Sequence, residues 1–234
     1  MFPVVILAGG FGTRLYPITK TTPKSLVMIA GKPFIIHQLE YLRKQRVKKV
    51  VICLNHLGKK IKNKIEKENN FSMKIYYSFD GLKPLGTGGA ILKSLPLLGN
   101  NFFILYGDSF LPINFKKIEM AFKSKKSKAL MTVFKNKNKL DKSNVLFIDK
   151  SKIIYNKENP KKKMSYIDYG LTVISASVFR KYKFFAKFDL AKVYQDLSSK
   201  KSLDGLRVYD RFYEIGSHSG LKETTKYFLM RKKI

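Results

Sequence analysis

Apolar residues along the chain follow two alternating patterns. Unbroken runs such as Val4-Val5-Ile6-Leu7-Ala8 suit strands buried on both faces, whereas stretches such as Pro33 to Gln45 repeat apolar positions every three or four residues, as a one-sided helix does. The sequence thus predicts strands over 3–8, 48–54, 73–78, 102–106 and 129–134. Between them it predicts helices over 33–45, 58–67, from Gly88-Gly89 onward, and over 114–124. Strand and helix alternating at this spacing make parallel βαβ units, and hence an α/β, Rossmann-like doubly wound sheet with helices on both faces. Past Lys135 the rhythm changes. Strand signals at 145–149, 153–156 and 167–174 follow one another without a full helix between them, which predicts antiparallel additions to a mixed, mostly parallel sheet. Helices over 177–182 and 190–200, a strand over 206–209 and a terminal helix from about Ser217 complete the reading. No linker or internal repeat interrupts it, so residues 1–234 read as one domain, and the basic run 156–163 as a solvated loop within it. With the sequence stopping soon after the terminal helix, no appended hexapeptide-repeat domain is expected.

Composition narrows this picture in three ways. With 44% hydrophobic and 13% aromatic residues, the 234-residue chain has a core to bury, which excludes disorder despite a net charge of +31. A single cysteine, Cys53, excludes a disulfide framework, and three histidines give no zinc-type cluster, so a reducing, cytoplasmic setting is expected. No apolar run approaches the ~20 residues of a membrane span, and the start carries no signal-peptide pattern. The charge is the electrostatic footprint of a nucleic-acid binder. However, only seven of the 47 cations are arginine, and the lysines are spread through every segment instead of forming a stripe. A background basicity explains them better than a nucleic-acid partner does, and the composition leaves a homodimer open.

The candidate chemistry begins at the first strand. It runs directly into Gly9-Gly10-Phe11-Gly12-Thr13-Arg14-Leu15, and glycines at a strand's carboxyl end let backbone N–H groups converge on an anion. No Gly-Lys-Ser/Thr follows, so this is not a P-loop, and Leu15 stands where a dinucleotide fingerprint has its third glycine. Arg14 and Lys24, the latter in Thr22-Pro23-Lys24-Ser25-Leu26, supply charge for a polyphosphate. The first acidic residue is Glu40, so nothing in the preceding stretch repels one.

These residues resemble the signature of the sugar-phosphate nucleotidyltransferases, or nucleotide-sugar pyrophosphorylases: Leu7-Ala8-Gly9-Gly10-Phe11-Gly12-Thr13-Arg14-Leu15, then Pro17 and Pro23-Lys24. Pro84-Leu85-Gly86-Thr87-Gly88-Gly89-Ala90 is similar to the family's second glycine segment, and Tyr106-Gly107-Asp108 to its metal-binding strand end. Ile167-Asp168-Tyr169-Gly170 falls where the family binds sugar, and Tyr213-Glu214-Ile215-Gly216 where it places a second acid. The last motif and Tyr106-Gly107-Asp108-Ser109 look most like the mannose- and heptose-1-phosphate guanylyltransferase branch.

The resemblance implies attack of a sugar 1-phosphate on the α-phosphorus of an NTP, GTP in that branch, giving an NDP-sugar and pyrophosphate. It implies catalytic roles for Arg14, Lys24 and Asp108, and Mg²⁺ held by Asp108 and Glu214. It also implies nucleotide contacts from Leu7, Ala8, Gly9, Gly10, Gly12, Thr13, Arg14, Lys24, Gly86, Thr87 and Gly88, and sugar contacts from Asp168, Tyr169 and Gly170. Residues 1–134 would form the nucleotide-binding half and 135–234 the sugar-phosphate half. Where many relatives carry a base-contacting Gln, this chain has Ser78, Asp80 and Gly81, which leaves the base open. A uridylyl- or cytidylyltransferase acting on N-acetylmuramic acid 1-phosphate, another sugar 1-phosphate or phosphocholine is the alternative within the class. A non-catalytic nucleotide- or RNA-binding protein is the one outside it. Lys157 and Lys161 to Lys163 compete for the sugar phosphate, while none of the histidines is assigned catalytic work and Cys53 reads as a core residue of a buried strand.

Overall fold

The structure is a computed structural model that describes residues 1–68, 71–125, 127–136, 140 and 142–231. Its first half runs β1 (Val4–Leu7), β2 (Met28–Ile29), β3 (Lys32–Pro33), α1 (Phe34–Lys44), β4 (Lys49–Leu54), α2 (Gly58–Glu68), β5 (Lys74–Phe79), α3 (Gly86–Ser94), β6 (Asn101–Tyr106), β7 (Ser109–Phe110) and α4 (Phe115–Lys123). The second runs β8 (Ala129–Lys135), β9 (Val145–Phe147), β10 (Ile153–Tyr155), β11 (Tyr166–Ser175), α5 (Leu190–Ser199), β12 (Leu203–Val208), β13 (Tyr213–Glu214) and α6 (His218–Arg231).

The main sheet has the order β10-β9-β11-β6-β1-β4-β5, with β8 and then β12 branching from β11. Strands β6, β1, β4 and β5 are parallel. From β1 the chain winds outward to β4 and β5, then returns to the other side of β1 as β6. The strand order therefore reverses between β1 and β6, the crevice where doubly wound sheets bind ligands. The antiparallel additions are placed centrally. Strand β11 lies between β6 and β8 and runs antiparallel to both, so the two strands expected as sequential parallel neighbours are separated by one made later.

Period two sorts the core. Val4 and Ile6 of β1 face the cluster beneath α1, α2 and α4, with Ile35, Leu39, Ile61 and Ile118. Val5 faces the opposite cluster, with Ile91 of α3 and Val193 and Leu197 of α5. A smaller cluster of Ile29, Phe34, Phe110 and Ile215 seats α6. His37 belongs there, its Nε2 2.8 Å from the Ile29 carbonyl and its ring 4.0 Å from that of Phe228, a packing role. Among the described residues no helix is long and apolar enough to cross a membrane.

Candidate functional site

The glycine loop leaves β1 at the reversal of strand order. Gly12 adopts φ +67°, a left-handed conformation that side chains disfavour, and a Cβ there would crowd Thr19 and Lys24 at 3.1–3.3 Å. Thr19 Oγ1 donates to the Gly12 carbonyl at 2.7 Å and closes the turn. The loop thereby returns on itself and brings Lys24 beside its own glycines. A cleft of about 340 Å³ opens over it, lined by Leu7, Ala8, Gly9, Gly10, Gly12 and Lys24, by Gly86 and Thr87 of α3, and by Asp108. Cys53 and Ala90 add apolar surface, and burial pushes the Cys53 thiol up to about 12.

Asp108 stands one strand away, just past β6. Lys24 Nζ donates to its Oδ2 at 2.6 Å and Ser109 Oγ to its Oδ1 at 3.2 Å. Burial opposes ionisation of this carboxyl, but Lys24, Ser109 and Arg14 together outweigh it and hold the group below the usual carboxylate range. Gln38 of α1 fixes the turn from below, its Nε2 donating to the carbonyls of Tyr106 (3.0 Å) and Ser109 (2.7 Å). Sequence reasoning missed Gln38. The signal was a polar residue on an otherwise apolar helix face.

Strand β13 pairs with β7 so that Glu214 lies opposite Ser109, and the Ile215 N–H donates to the Asp108 carbonyl at 2.9 Å. Glu214 accepts from the Gly216 N–H and from Ser217 Oγ. Its longer side chain folds back over α6, into space that a Cβ on Gly220 would fill. A Cβ on Gly216 would stand 2.5 Å from Glu214 Oε2 and 3.1 Å from both Arg14 Nη2 and Lys24 Nζ, so this glycine marks the point on which the cations and the second acid converge.

A second cavity adjoins the first and shares Tyr106 and Asp108 with it. Arg14, Asn144, Tyr155, Lys157, Asp168, Arg211 and Glu214 line it. Asp168 Oδ2 accepts from Tyr106 OH at 3.1 Å and Oδ1 from the Gly170 N–H at 2.9 Å. Burial lifts its carboxyl above the usual range despite those bonds and the charge of Lys157. Of the four competing lysines only Lys157 lines this cavity, while Lys161 and Lys162 line a separate surface depression.

Several expected contacts lie elsewhere. Tyr169 points to the opposite face of β11 from Asp168 and packs in the core against Phe134 and Phe212. Gly170 serves as the donor to Asp168, and Thr13 is exposed beside the loop; neither lines the first or the second cavity. Gly88 is also absent from the cleft wall. The N–H groups of Gly88 and Gly89 donate to the Phe188 carbonyl at 3.0 and 3.2 Å, and a Cβ on Gly88 would strike the Phe188 ring. This glycine makes room for a strap from the second half of the chain, which Asp189 extends by accepting from Thr87 Oγ1 at 3.3 Å.

Residues 3–217 match the family described as nucleotidyl transferase. A D-glycero-alpha-D-manno-heptose 1-phosphate guanylyltransferase from Campylobacter jejuni subsp. jejuni is 31% identical over 213 residues, 91% of this chain and 93% of that protein. The mannose-1-phosphate guanylyltransferase catalytic subunit beta of Dictyostelium discoideum is 41% identical over 107 residues, which span 44% of this chain but only 30% of that longer protein. Among solved structures, HddC from Yersinia pseudotuberculosis complexed with GMP-PN superposes with a TM-score of 0.81 at 26% identity, covering 97% of this chain and 100% of that one. An inositol-1-phosphate CTP transferase from T. maritima, at 19% identity and a TM-score of 0.80, covers 97% of this chain and 95% of that one and shares the fold.

Proposed function

The chain belongs to the nucleotidyl transferase family as a sugar-phosphate nucleotidyltransferase, and from that premise we propose that it joins GTP to a heptose or mannose 1-phosphate, releasing pyrophosphate. The observation that carries the reading is the Lys24–Asp108 pair, set where two cavities meet and share Tyr106 and Asp108.

The NTP occupies the first cavity, its triphosphate over the backbone donors of Gly9 to Gly12, and the sugar 1-phosphate occupies the second. A phosphate oxygen of the sugar 1-phosphate attacks the α-phosphorus, the bond to the β-phosphate oxygen breaks, and pyrophosphate departs with the electron pair. The reaction asks for positioning and charge neutralisation more than covalent work. Lys24 stands at the junction and stabilises charge on the α-phosphate. Arg14 lines the second cavity and not the first, but its guanidinium reaches the junction beside Lys24 around Gly216, where it holds the leaving phosphates. Lys157 balances the sugar phosphate, and Asp168 accepts sugar hydroxyls. Residues 1–134 thus supply the nucleotide half and 135–234 most of the sugar half.

The donor set suits a hard divalent cation. Glu214 stands on β13 opposite Ser109, the residue after Asp108, and Asp108 is held ionised by its neighbours; with no group of three His, Cys, Asp or Glu able to hold a metal among the described residues, the protein would supply two ligands at most. Asp108 and Glu214 would hold Mg²⁺, which when bound supplies neutralisation of phosphate charge, the remaining oxygen ligands coming from phosphates and water.

Purified protein with Mg²⁺ and pyrophosphatase, offered four NTPs against a panel of sugar 1-phosphates, tests the reading by phosphate release. GTP with a heptose or mannose 1-phosphate is the expected pair. Turnover with UTP or CTP instead would replace the guanylyl assignment, and silence with every pair would point to a non-catalytic nucleotide binder.

A further inference from the structure

Lysine and arginine make up 47 of the 234 residues and are spread along the sequence, but the fold gathers some of them. A depression of about 500 Å³, larger than the cleft over the glycine loop, is lined by twelve residues, and six of these are cations: Lys128, Lys152, Arg180, Lys181, Lys200 and Lys201. They come from four segments, namely the entry to β8, the turn before β10, the short helix Ala176–Tyr182 after β11, and the end of α5. No lining residue is shared with the two cavities of the active site. Strand β11 ends at Ser175, opposite Asn101 at the start of β6, whereas Asp108 follows the far end of β6. The depression thus lies a strand's length, about 17 Å, from Asp108, at the other end of the sheet.

Two of the six cations are answered by carboxylates. Lys152 Nζ lies 2.9 Å from Asp204 Oδ1, and Lys181 Nζ lies 2.8 Å from Asp196 Oδ2, to which Tyr182 OH also donates. Lys128, Arg180, Lys200 and Lys201 have no carboxylate partner among the described residues. The dipole of α5 accounts for a lysine just past its carboxyl end, at 200 or 201, but not for Lys128 or Arg180, which belong to other segments. Val178 and Leu197, each 7% exposed, form an apolar floor beneath these charges. Like charges over such a floor are screened less than on an open surface, so their convergence opposes folding and favours an anion.

We propose that this depression is a second anion site, separate from catalysis, which takes a chain of two or more linked phosphates. A single phosphate, at about −2, matches only half of the four unanswered cations, whereas linked phosphates extend both charge and length to meet the rest. Arg180 supplies the planar fork that grips two phosphate oxygens at once, and the lysines supply point charges along the chain. Free pyrophosphate or polyphosphate and the phosphate tail of a nucleotide share this chemistry.

Lysine acetylation read residue by residue by mass spectrometry tests this on the wild-type protein, and it separates the depression from the catalytic cleft, which also binds phosphates. At about 0.15 M salt, about 1 mM tripolyphosphate should slow acetylation of Lys128, Lys200 and Lys201 by about fivefold or more, as mass action gives for a Kd of about 0.25 mM or tighter. Lys161 and Lys162, exposed in a different basic depression, are the internal controls and should slow by less than about 1.5-fold. Orthophosphate at the same concentration should protect by less than about twofold. Pyrophosphate and ADP distinguish the sources: equal protection assigns the site to free phosphate chains, and stronger protection by ADP assigns the floor of Val178 and Leu197 to a nucleoside. Arg180→Gln combined with Lys200→Gln should abolish protection of Lys128 and Lys201 while leaving turnover unchanged, since neither residue lines the catalytic cavities. Protection that extends equally to Lys161 and Lys162, that orthophosphate matches, or that survives in the double variant would overturn the proposal. The wild-type footprint needs no variant, so a poorly folded mutant would not shield it.

Discussion

Replacing Lys24 with Met removes the cation from Asp108 while keeping the length of the side chain. The pair is mostly but not wholly enclosed, with side-chain exposures of 15% and 32%. Breaking a fully buried pair costs about 3–5 kcal/mol and an exposed one under about 1, so Lys24→Met should cost about 1–3 kcal/mol at neutral pH. In the native protein Asp108 titrates below its unfolded value, so its contribution is present above about pH 4 and is lost as pH falls through the lower folded value. In the variant, burial acts without Lys24, and the carboxyl moves up. The gap between the two proteins should thus be widest near pH 7, be narrower at about pH 4, and vanish only below the lowered folded value of Asp108 in the native protein. Urea unfolding at both pH values, with Asp108→Asn and the double variant completing a cycle, measures this. A coupling of about 1 kcal/mol or more at pH 7 is expected, alongside a turnover loss of about 10²–10³-fold. If the single effects add to within about 0.5 kcal/mol, the two groups are not paired in solution and the placement of Asp108 is wrong.

Arg14→Ala, on an exposed turn, should lower pyrophosphate release by about 10²-fold or more while urea stability changes by less than about 0.5 kcal/mol. Asp168→Asn should raise KM for the sugar 1-phosphate far more than for the NTP. Because the Asp168 carboxyl sits above its usual range, the wild-type KM for the sugar should already climb on the acid side as that group protonates, and a flat profile would refute its role. Gly216→Ala should disturb Arg14, Lys24 and Glu214 at once; a displacement of about 1 Å is enough to cost roughly 100-fold in turnover. Asp108→Asn should abolish Mg²⁺-dependent turnover with weak GTP binding retained, whereas Glu214→Gln, whose carboxylate also ties α6, should mainly raise the Mg²⁺ requirement in a metal titration.

Much of the fold was legible because local pattern and local structure agree: β1, α1, β4 and β6 each lie within a residue or two of the apolar runs that predict them. The position of β11 was not, since a strand's pattern carries its burial but not its neighbours. Asp168 and Tyr169 show information that was present but unused, as strand alternation alone sends adjacent residues to opposite faces. Gly88 shows the reverse. Its need for space comes from Phe188, a hundred residues away, and a glycine before a helix carries no mark that separates a ligand from a packing partner. The choice of Lys157 among four lysines likewise required the cavity.

The central place of β11 bears on the order in which the protein is made. Strand β8 pairs only with β11 and β12 among the described strands, and the edge of β6 away from β1 is closed by β11. As the chain leaves the ribosome, residues 1–135 can assemble β5, β4, β1 and β6, but the fresh edge of β6 and the whole of β8 wait for residues 166–175. A hydrophobic strand with unpaired backbone is the form that other chains can pair with. The interval between residues 135 and 175 is therefore where a nascent chain of this protein would most depend on a chaperone, and a stop inside that interval should yield an aggregating fragment instead of a smaller nucleotide-binding domain.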